Sequence, residues 1–470
     1  MSLLQSGIIG ILAFIFILGA AVILHEFGHF IIAKLFKIRV ETFSVGFGPR
    51  LFGRKYGTTD YRVSAIPLGG YVKLGGDESN APIEGEGAPD IPPHERFDLR
   101  PRWQRILVAV AGPVMNVLTA LAIPFAAGMI YGIPATPAPV VSSVIPGGAA
   151  QAAGLQPGDR IISFNGTANP DWDAISGDAL LSPNEPLPME IERTGQRLQL
   201  TIKPTAEARD GETAGELDFI PDYGNVIVVI SDVVSGSAAA EAGLQGGDRV
   251  LAVGGQPVKS SEQVVQYVRS HKNEPVVFNL DRNGRQIQVT ANVRPGEEKL
   301  GFYLGQRLPM EHGGPISAGR YAVDSNIRIM RLTGKALGQL FTGKRSVRNT
   351  ISGPIGIYRV ASAAATELGW AGVFTTLGFL SLNLGIFNLL PIPVLDGGAI
   401  FLLLIEGLLA VIGMTISTTV RERIQQVGFV VVILLMVFVI TNDVLKRWSM
   451  RATNNGNVPA SSPAPPTPAK

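Results

Sequence analysis

Apolar residues are unevenly distributed along the chain. Gly7 to Leu24 (GIIGILAFIFILGAAVIL) runs for eighteen residues without a polar side chain, long enough to cross the hydrocarbon core of a bilayer as a helix. No basic segment precedes it, and its apolar character resumes after His29 as FIIA, which argues against a cleaved secretory signal. Three further runs have similar character: Ile106 to Tyr131, with one Asn and one Thr; a stretch from near Gly372 to Leu390; and Val427 to Ile440 with its flanks. Ala399 to Met414 is also apolar, but it is short and interrupted by Glu406, so it reads as a partly inserted helix. The pattern predicts four crossings.

Between the second and third runs the text changes to the period-two alternation of strands, and it repeats. GGAAQAAGLQPGDR (147–160) aligns with GSAAAEAGLQGGDR (236–249) with ten of fourteen positions identical, which predicts two copies of one domain. Each copy continues into strand-like text, RIISFNGT and RVLAVGGQ, and Ser261 to Ser270 reads as a helix with Val264, Val265 and Val268 on one face. The repeats resemble the PDZ domain, whose A-x-x-A-G-L-x-x-G-D-x-I/V text they match. That resemblance implies a groove that takes peptide C-termini or extended segments by strand addition. A β-rich spacer with no open groove fits the same residues.

Composition and charge narrow the partners. Charged residues make up 17% of the chain, short of the roughly 25% of a soluble protein, and mean hydropathy is +0.26, so part of the surface faces lipid. Lys+Arg 40 against Asp+Glu 38 leaves a net charge of +2, without a dense basic block, and nucleic acid is not an expected partner. There is no cysteine, so any metal site must use His and carboxylates.

Lys and Arg also orient the spans. None precedes His25, whereas Lys34 to Arg105 holds twelve, which puts that loop in the cytoplasm and the N-terminus and the repeats outside. Arg328, Arg331, Lys335, Lys344, Arg345 and Arg348 oppose this assignment unless they lie on an amphipathic helix at the lipid headgroups. The tail from Thr453, rich in Pro, Ala, Ser and Asn, is expected to be disordered.

His25-Glu26-Phe27-Gly28-His29 is an H-E-x-x-H run. On a helix, positions four apart share a face, so both imidazoles can hold one Zn²⁺ with Glu26 alongside as general base. Ionisable groups continuing a lipid-length helix are functional by default. A catalytic zinc needs a third ligand, and Ile32 and Leu35 stand where an extended motif would have Gly and the third His. Asp396, in Asn388-Leu389-Leu390-Pro391-Ile392-Pro393-Val394-Leu395-Asp396-Gly397-Gly398, is the first candidate, because the topology returns it to the depth of His25 and His29. Glu406 is the rival.

HEFGH in the first span, N-x-x-P-x-P-x-L-D-G in the third and the repeats between spans two and three resemble the site-2 protease family of intramembrane zinc metalloproteases, of the bacterial regulator-of-sigma-E type. Gly46-Phe47-Gly48-Pro49, Tyr61 to Gly76, Ala111-Gly112-Pro113 with Asn116, and Ser352-Gly353-Pro354-Ile355-Gly356 belong to the same likeness; Ala399 departs from it. The resemblance implies zinc held by His25, His29 and Asp396, Glu26 as base, and Asn383 and Asn388 holding substrate backbone or a developing oxyanion. Asn388 fits equally as a cap of a broken helix.

Pro67-Leu68-Gly69-Gly70 lies in a predicted hairpin whose edge can take up an unwound substrate as an added strand, with Gly69 and Gly70 at the contact. A hairpin lying on the membrane without touching substrate fits as well. The expected fold is a multi-pass α-helical membrane protein of four transmembrane helices and a membrane-associated β-hairpin, with two PDZ domains inserted between spans 2 and 3. In order these are span 1 with HEFGH (1–36), the hairpin region (37–103), span 2 (104–134), the PDZ domains (135–220 and 221–308) and an amphipathic surface-helix region (309–367). Span 3 with NLLPIPVLDG (368–396), a partly inserted helix and loop (397–424), span 4 (425–446) and a disordered tail (447–470) complete it.

The resemblance implies a bacterial inner-membrane enzyme with its active site near the cytoplasmic face. Its implied partners are the lipid bilayer and single-span, anti-sigma-factor-like substrates already trimmed outside, with remnant signal peptides as a second class. The PDZ pair would screen out bulky outer domains. A non-catalytic PDZ scaffold, or a zinc protein acting on a soluble substrate, is the alternative.

Overall fold

The structure, a computed structural model, describes residues 3–77, 91–135, 137–209, 212–224, 226–271, 274–292, 300–343, 353–414 and 417–456. The chain divides into two units, Met1–Ala126 with Gly319–Lys470, and Ala127–Ala318.

The first unit is built on long helices: α1 (Leu3–Leu35), α2 (Arg102–Tyr131), α3 (Gly314–Phe341), α4 (Pro354–Asn388), α5 (Asp396–Val411) and α6 (Thr418–Gly456). Gly7–Leu35, Arg102–Tyr131, Leu368–Asn388 and Gln426–Asp443 are long and apolar enough to cross a membrane. Leu12, Phe16, Leu118, Phe379 and Leu434 are exposed along them, as lipid contact requires. At 1.5 Å per residue, α5 is about 24 Å long, shorter than the ~30 Å hydrocarbon core. Its Glu406 is buried and accepts an ion-paired hydrogen bond from Arg421 at the start of α6.

In α4 the helical path breaks at Gly369 (φ 60°, ψ −142°), a conformation open to glycine at little cost. Its N-terminus is held by a carboxylate from α6. Asp443 accepts from the backbone N–H groups of Gly353, Ile355 and Gly356 at 3.1, 3.2 and 3.3 Å, supplying partners that the first turn lacks. Helix α6 continues to Gly456, past residue 447 where a disordered tail was expected. Leu445 to Ala452 contains neither Gly nor Pro and consists largely of residues that tolerate a helix. Residues 457–470, and with them most of the expected tail, lie outside the described residues, as do Lys344, Arg345 and Arg348.

The predicted hairpin is present as β1 (Val40–Tyr56) and β2 (Thr59–Leu74), joined at Gly57 and Thr58. Both strands bend, so that four segments lie side by side. Residues 52–56 pair with 59–63, 42–45 pair with both 60–63 and 70–73, and Val40 pairs with Leu74. Residues 70–74 thus form one edge and 52–56 the other. Ala33, Ile38, Val40, Leu74 and Val108 close a small core at the base.

The second unit contains the repeats, and their strand order is the same. One sheet runs Phe219–Asp222, Val140–Val144, Arg160–Phe164, Leu187–Arg193, Gln196–Ile202; the other runs Phe302–Arg307, Ile227–Val233, Arg249–Val253, Pro275–Arg282, Arg285–Asn292. Phe164 and Phe278 are fully buried in the two cores, each worth roughly 2–3 kcal/mol of burial. Asp159 receives Arg193 Nη2 at 2.7 Å in the first copy, and Asp248 receives Arg282 Nη2 at 2.7 Å in the second. The helix Ser261–Ser270 buries Val264 and Val268 but leaves Val265 exposed. At about 100° per residue, the position next to Val264 turns away from the face that Val264 and Val268 share.

Candidate metal centre

His25 and His29 lie on α1, eighteen and twenty-two residues after Gly7, or about 27 and 33 Å along the helix axis. That distance puts them at the far boundary of a ~30 Å hydrocarbon layer if the span begins at Gly7. His25 Nε2 is 3.2 Å from His29 Nε2 and 3.0 Å from Asp396 Oδ2, and His29 Nε2 is 3.4 Å from Asp396 Oδ1. The two Asp396 contacts use different carboxylate oxygens; with one donor atom taken from each residue, the three lie within 4.8 Å of one another, near the separation of about 3.3 Å between ligands bound about 2.0–2.1 Å from a tetrahedral zinc. Two imidazoles and one carboxylate, leaving a fourth position open, are a donor set that suits catalytic zinc. Among the described residues this is the one cluster of its kind.

The second nitrogen fixes the tautomer of His29 and orients the ring of His25. His29 Nδ1 is 2.7 Å from the carbonyl oxygen of Val108, which can only accept, so the proton sits on Nδ1 and Nε2 keeps its lone pair for a metal. His25 Nδ1 lies 3.1 Å from the side-chain amide of Asn116, and Ser381 Oγ lies 3.2 Å from both the Oδ1 and the backbone oxygen of Asn116. In the structure Asn116 Nδ2 faces His25 Nδ1 and Ser381 donates to Oδ1; a metal on His25 Nε2 requires the amide turned end for end, so that Oδ1 accepts from His25 Nδ1–H, Nδ2 donates to Ser381 Oγ, and Ser381 donates to the Asn116 carbonyl. Every member of this buried chain is then satisfied, and His25 has the same tautomer as His29.

Space for both rings comes from glycine. A side chain on Gly112 would overlap His29 and meet His25, and one on Gly28 would strike the Ala111 carbonyl. Helices α1 and α2 therefore meet backbone to backbone at the centre, as small residues permit between membrane helices.

Asp396 is the first residue of α5. Residues 389–395 are non-helical, because Pro391 and Pro393 cannot donate the helix's backbone bonds. Gly397 and Gly398 have no room for side chains against the carbonyl oxygens of Leu389, Leu390 and Ile392, so this turn is tightly packed. Asn388, the last residue of α4, puts Nδ2 3.2 Å from His25 Nε2. Glu26 is held from the hairpin, since Val72 N–H donates to its Oε2 at 3.2 Å.

The structure thus brings His25, Glu26, His29, Asp396 and Asn388 together. Asn383 lies apart from them: Oδ1 accepts from Thr333 Oγ1 at 3.0 Å, and Nδ2 donates to the Phe379 carbonyl at 2.8 Å. Glu406 is engaged by Arg421 and not by the histidines. Gly69 (φ 107°) leaves room for Phe47 and Val22, and Gly70 lies against the Ser44 carbonyl, so packing accounts for both glycines. Asn116, Ser381 and Gly112 carry the centre's support, and sequence reasoning gave them no role. The signal was there in Asn116, one of two polar residues in an otherwise apolar run.

Residues 13–435 match peptidase family M50. "Regulator of sigma-E protease RseP" of Salmonella typhimurium is 34% identical over 457 residues, covering 92% of this chain and 97% of that protein. The Escherichia coli K12 protein of the same name is 34% identical over 453 residues, with the same shares covered. A Vibrio cholerae protein with "zinc metalloprotease" in its name is 33% identical over 463 residues, again covering 92% and 97%. The family match spans every residue of the His25–His29–Asp396 centre, and the chain belongs to peptidase family M50.

Proposed function

We propose that the chain is an intramembrane zinc endopeptidase that cuts the transmembrane segment of a single-span protein. The observation that carries this reading is the convergence of His25 and His29, on the lipid-length helix α1, with Asp396 at the start of the shorter α5, and with Glu26 beside them. When bound, zinc supplies Lewis acidity for the scissile carbonyl and for water. Glu26, oriented by Val72 N–H, takes the proton of the attacking water and delivers it to the leaving amide nitrogen. The Asn388 amide donates to the oxygen that gains charge.

A helical substrate offers no free carbonyl, so it must unwind. Residues 70–74 form a sheet edge whose Val72 N–H already points at Glu26, and an unwound segment added there would lie against the base. Gly69 would keep that edge close to Val22 of α1, and Gly70 would keep it close to Ser44 of the neighbouring segment, both at the proposed substrate contact. Asn383 would join the substrate contacts only after parting from Thr333.

The repeats would act as PDZ domains, admitting extended segments and screening out substrates whose outer domain remains attached. We place the protein in a bacterial inner membrane with N-terminus and repeats periplasmic and the centre toward the cytoplasm. Its substrates would be anti-sigma-factor-like proteins of an envelope stress response after a first outer cut, and remnant signal peptides. The test is Glu26→Gln against wild type in proteoliposomes with a single-span substrate. Loss of product is expected, and undiminished cleavage would sink the mechanism.

A further inference from the structure

The hairpin edge farthest from α1 has no part in the proposed chemistry. Residues 48–58 (GPRLFGRKYGT) are exposed without interruption, with Leu51 at 63%, Phe52 at 65% and Tyr56 at 76% of full exposure. In an extended strand, Phe52, Arg54 and Tyr56 point to one side and Leu51 and Lys55 to the other, so both faces combine apolar bulk with positive charge. Neither face has the polar character of a surface built for water.

Between Gly48 and Arg62 the chain carries Arg50, Arg54, Lys55 and Arg62 against a single acid, Asp60. Asp60 is shared by Arg50 at 3.2 Å and Arg62 at 3.9 Å, leaving Arg54 and Lys55 to supply most of an excess of three positive charges.

The base of this tip sits at a definable depth. Lys34 Nζ donates to Thr59 Oγ1 at 2.7 Å, and Thr59 Oγ1 donates to the Val40 carbonyl at 2.7 Å. Lys34 is the first basic residue after the apolar stretch of α1, about 40 Å along the axis from Gly7 and therefore beyond a ~30 Å hydrocarbon core. Thr59 is thereby tied to the cationic end of a membrane span. Residues 52–56 pair with 59–63 and so lie one strand spacing, about 5 Å, beyond that segment.

We propose that residues 48–58 are an anionic-lipid-binding tip. Arg54, Lys55 and Arg50 pair with the phosphodiester headgroups of the leaflet at the Lys34 end of span 1, while Leu51, Phe52 and Tyr56 enter the headgroup–acyl boundary. Positive charge beside exposed aromatic and aliphatic side chains is the chemistry by which interfacial elements recognise anionic leaflets. This anchors the far edge of the sheet whose near edge adjoins Glu26.

The chain has no cysteine, so Thr58→Cys can carry an environment-sensitive fluorophore at the tip while leaving every named side chain in place. The labelled full-length protein is reconstituted in phosphatidylcholine alone and in an equal mixture with phosphatidylglycerol. The expected result is a blue-shifted, brighter emission in the anionic bilayer, quenched by lipids brominated on the acyl chain and reversed by high salt. Combined Arg54→Gln and Lys55→Gln substitution should lower the anionic-lipid preference by roughly five-fold per charge. The salt arm tests the proposal without relying on that variant folding. Emission that ignores phosphatidylglycerol and salt would overturn it, as would emission that responds only to added soluble protein or to a second copy of the chain.

Discussion

The side-chain amide of Asn116 on α2 stands 3.1 Å from Nδ1 of His25 on α1, and both groups are buried. This contact determines which nitrogen of His25 faces the open metal position. Asn116→Leu should therefore weaken zinc binding by about 10–100-fold, read by chelator competition on the purified protein. Asn116→Asp, which keeps an acceptor toward Nδ1–H, should retain most of the affinity. Equal losses in both variants would mean that the contact only fills space.

Gly112 makes a sharper steric prediction. A methyl group there overlaps the His29 ring, so Gly112→Ala should lose both zinc and cleavage although the change adds one carbon and improves intrinsic helix propensity. Zinc content measured on detergent-purified protein checks this; full occupancy would show that α1 and α2 can separate at the centre without cost.

Glu406 is buried and its partner Arg421 is partly exposed. Arg421→Met alone leaves a buried carboxylate without its cation and should destabilise the membrane unit by about 3–5 kcal/mol. Glu406→Leu combined with Arg421→Met should recover most of that loss, because removing both members of a buried pair is often close to neutral. Unfolding of the two variants in detergent measures the difference. Equal destabilisation would refute the pairing.

The second repeat should be sensitive to acid through Asp248. Burial alone would raise its carboxyl pKa, but hydrogen bonds from Arg282 and from Gln245 N–H hold it below the usual value of 3.8. A carboxyl depressed in the folded state contributes stability fully present above its unfolded pKa. That contribution is lost as pH falls through the folded-state value. The protection of Arg249–Val253 against hydrogen exchange in the intact protein, taken relative to the intrinsic rate at each pH, should fall below about pH 4, and Asp248→Asn should remove most of that pH dependence. Unchanged pH dependence in the variant would assign acid sensitivity elsewhere.

The sequence revealed the centre because its chemistry is local. HEFGH fixes two ligands and a base within five residues, and the prolines and glycines around Asp396 mark an irregular turn. The supporting residues were harder to read. Asn116 and Gly112 act only because α2 crosses α1 at Gly28, and nothing in the local text of either helix encodes that crossing. Likewise, alternation along β1 and β2 reads the same for a straight hairpin and for one folded into four segments, so which stretch formed the edge beside Glu26 was not legible. Val265 shows the same limit in small: three valines within five residues suggested one face, but the helical turn buries only two. The identical strand order of the repeats and the parallel Asp159–Arg193 and Asp248–Arg282 pairs follow from an alignment visible in the sequence.

The most direct test of the central claim is to map the cut bond. A purified single-span substrate is reconstituted with the wild-type chain or with Glu26→Gln, the products are read by mass spectrometry, and zinc is measured on the same samples. Both new termini should fall within the substrate's transmembrane segment for wild type, and no product should form with Glu26→Gln while zinc stays bound. Cleavage confined to the segment outside the membrane, or persisting in Glu26→Gln, would contradict the account.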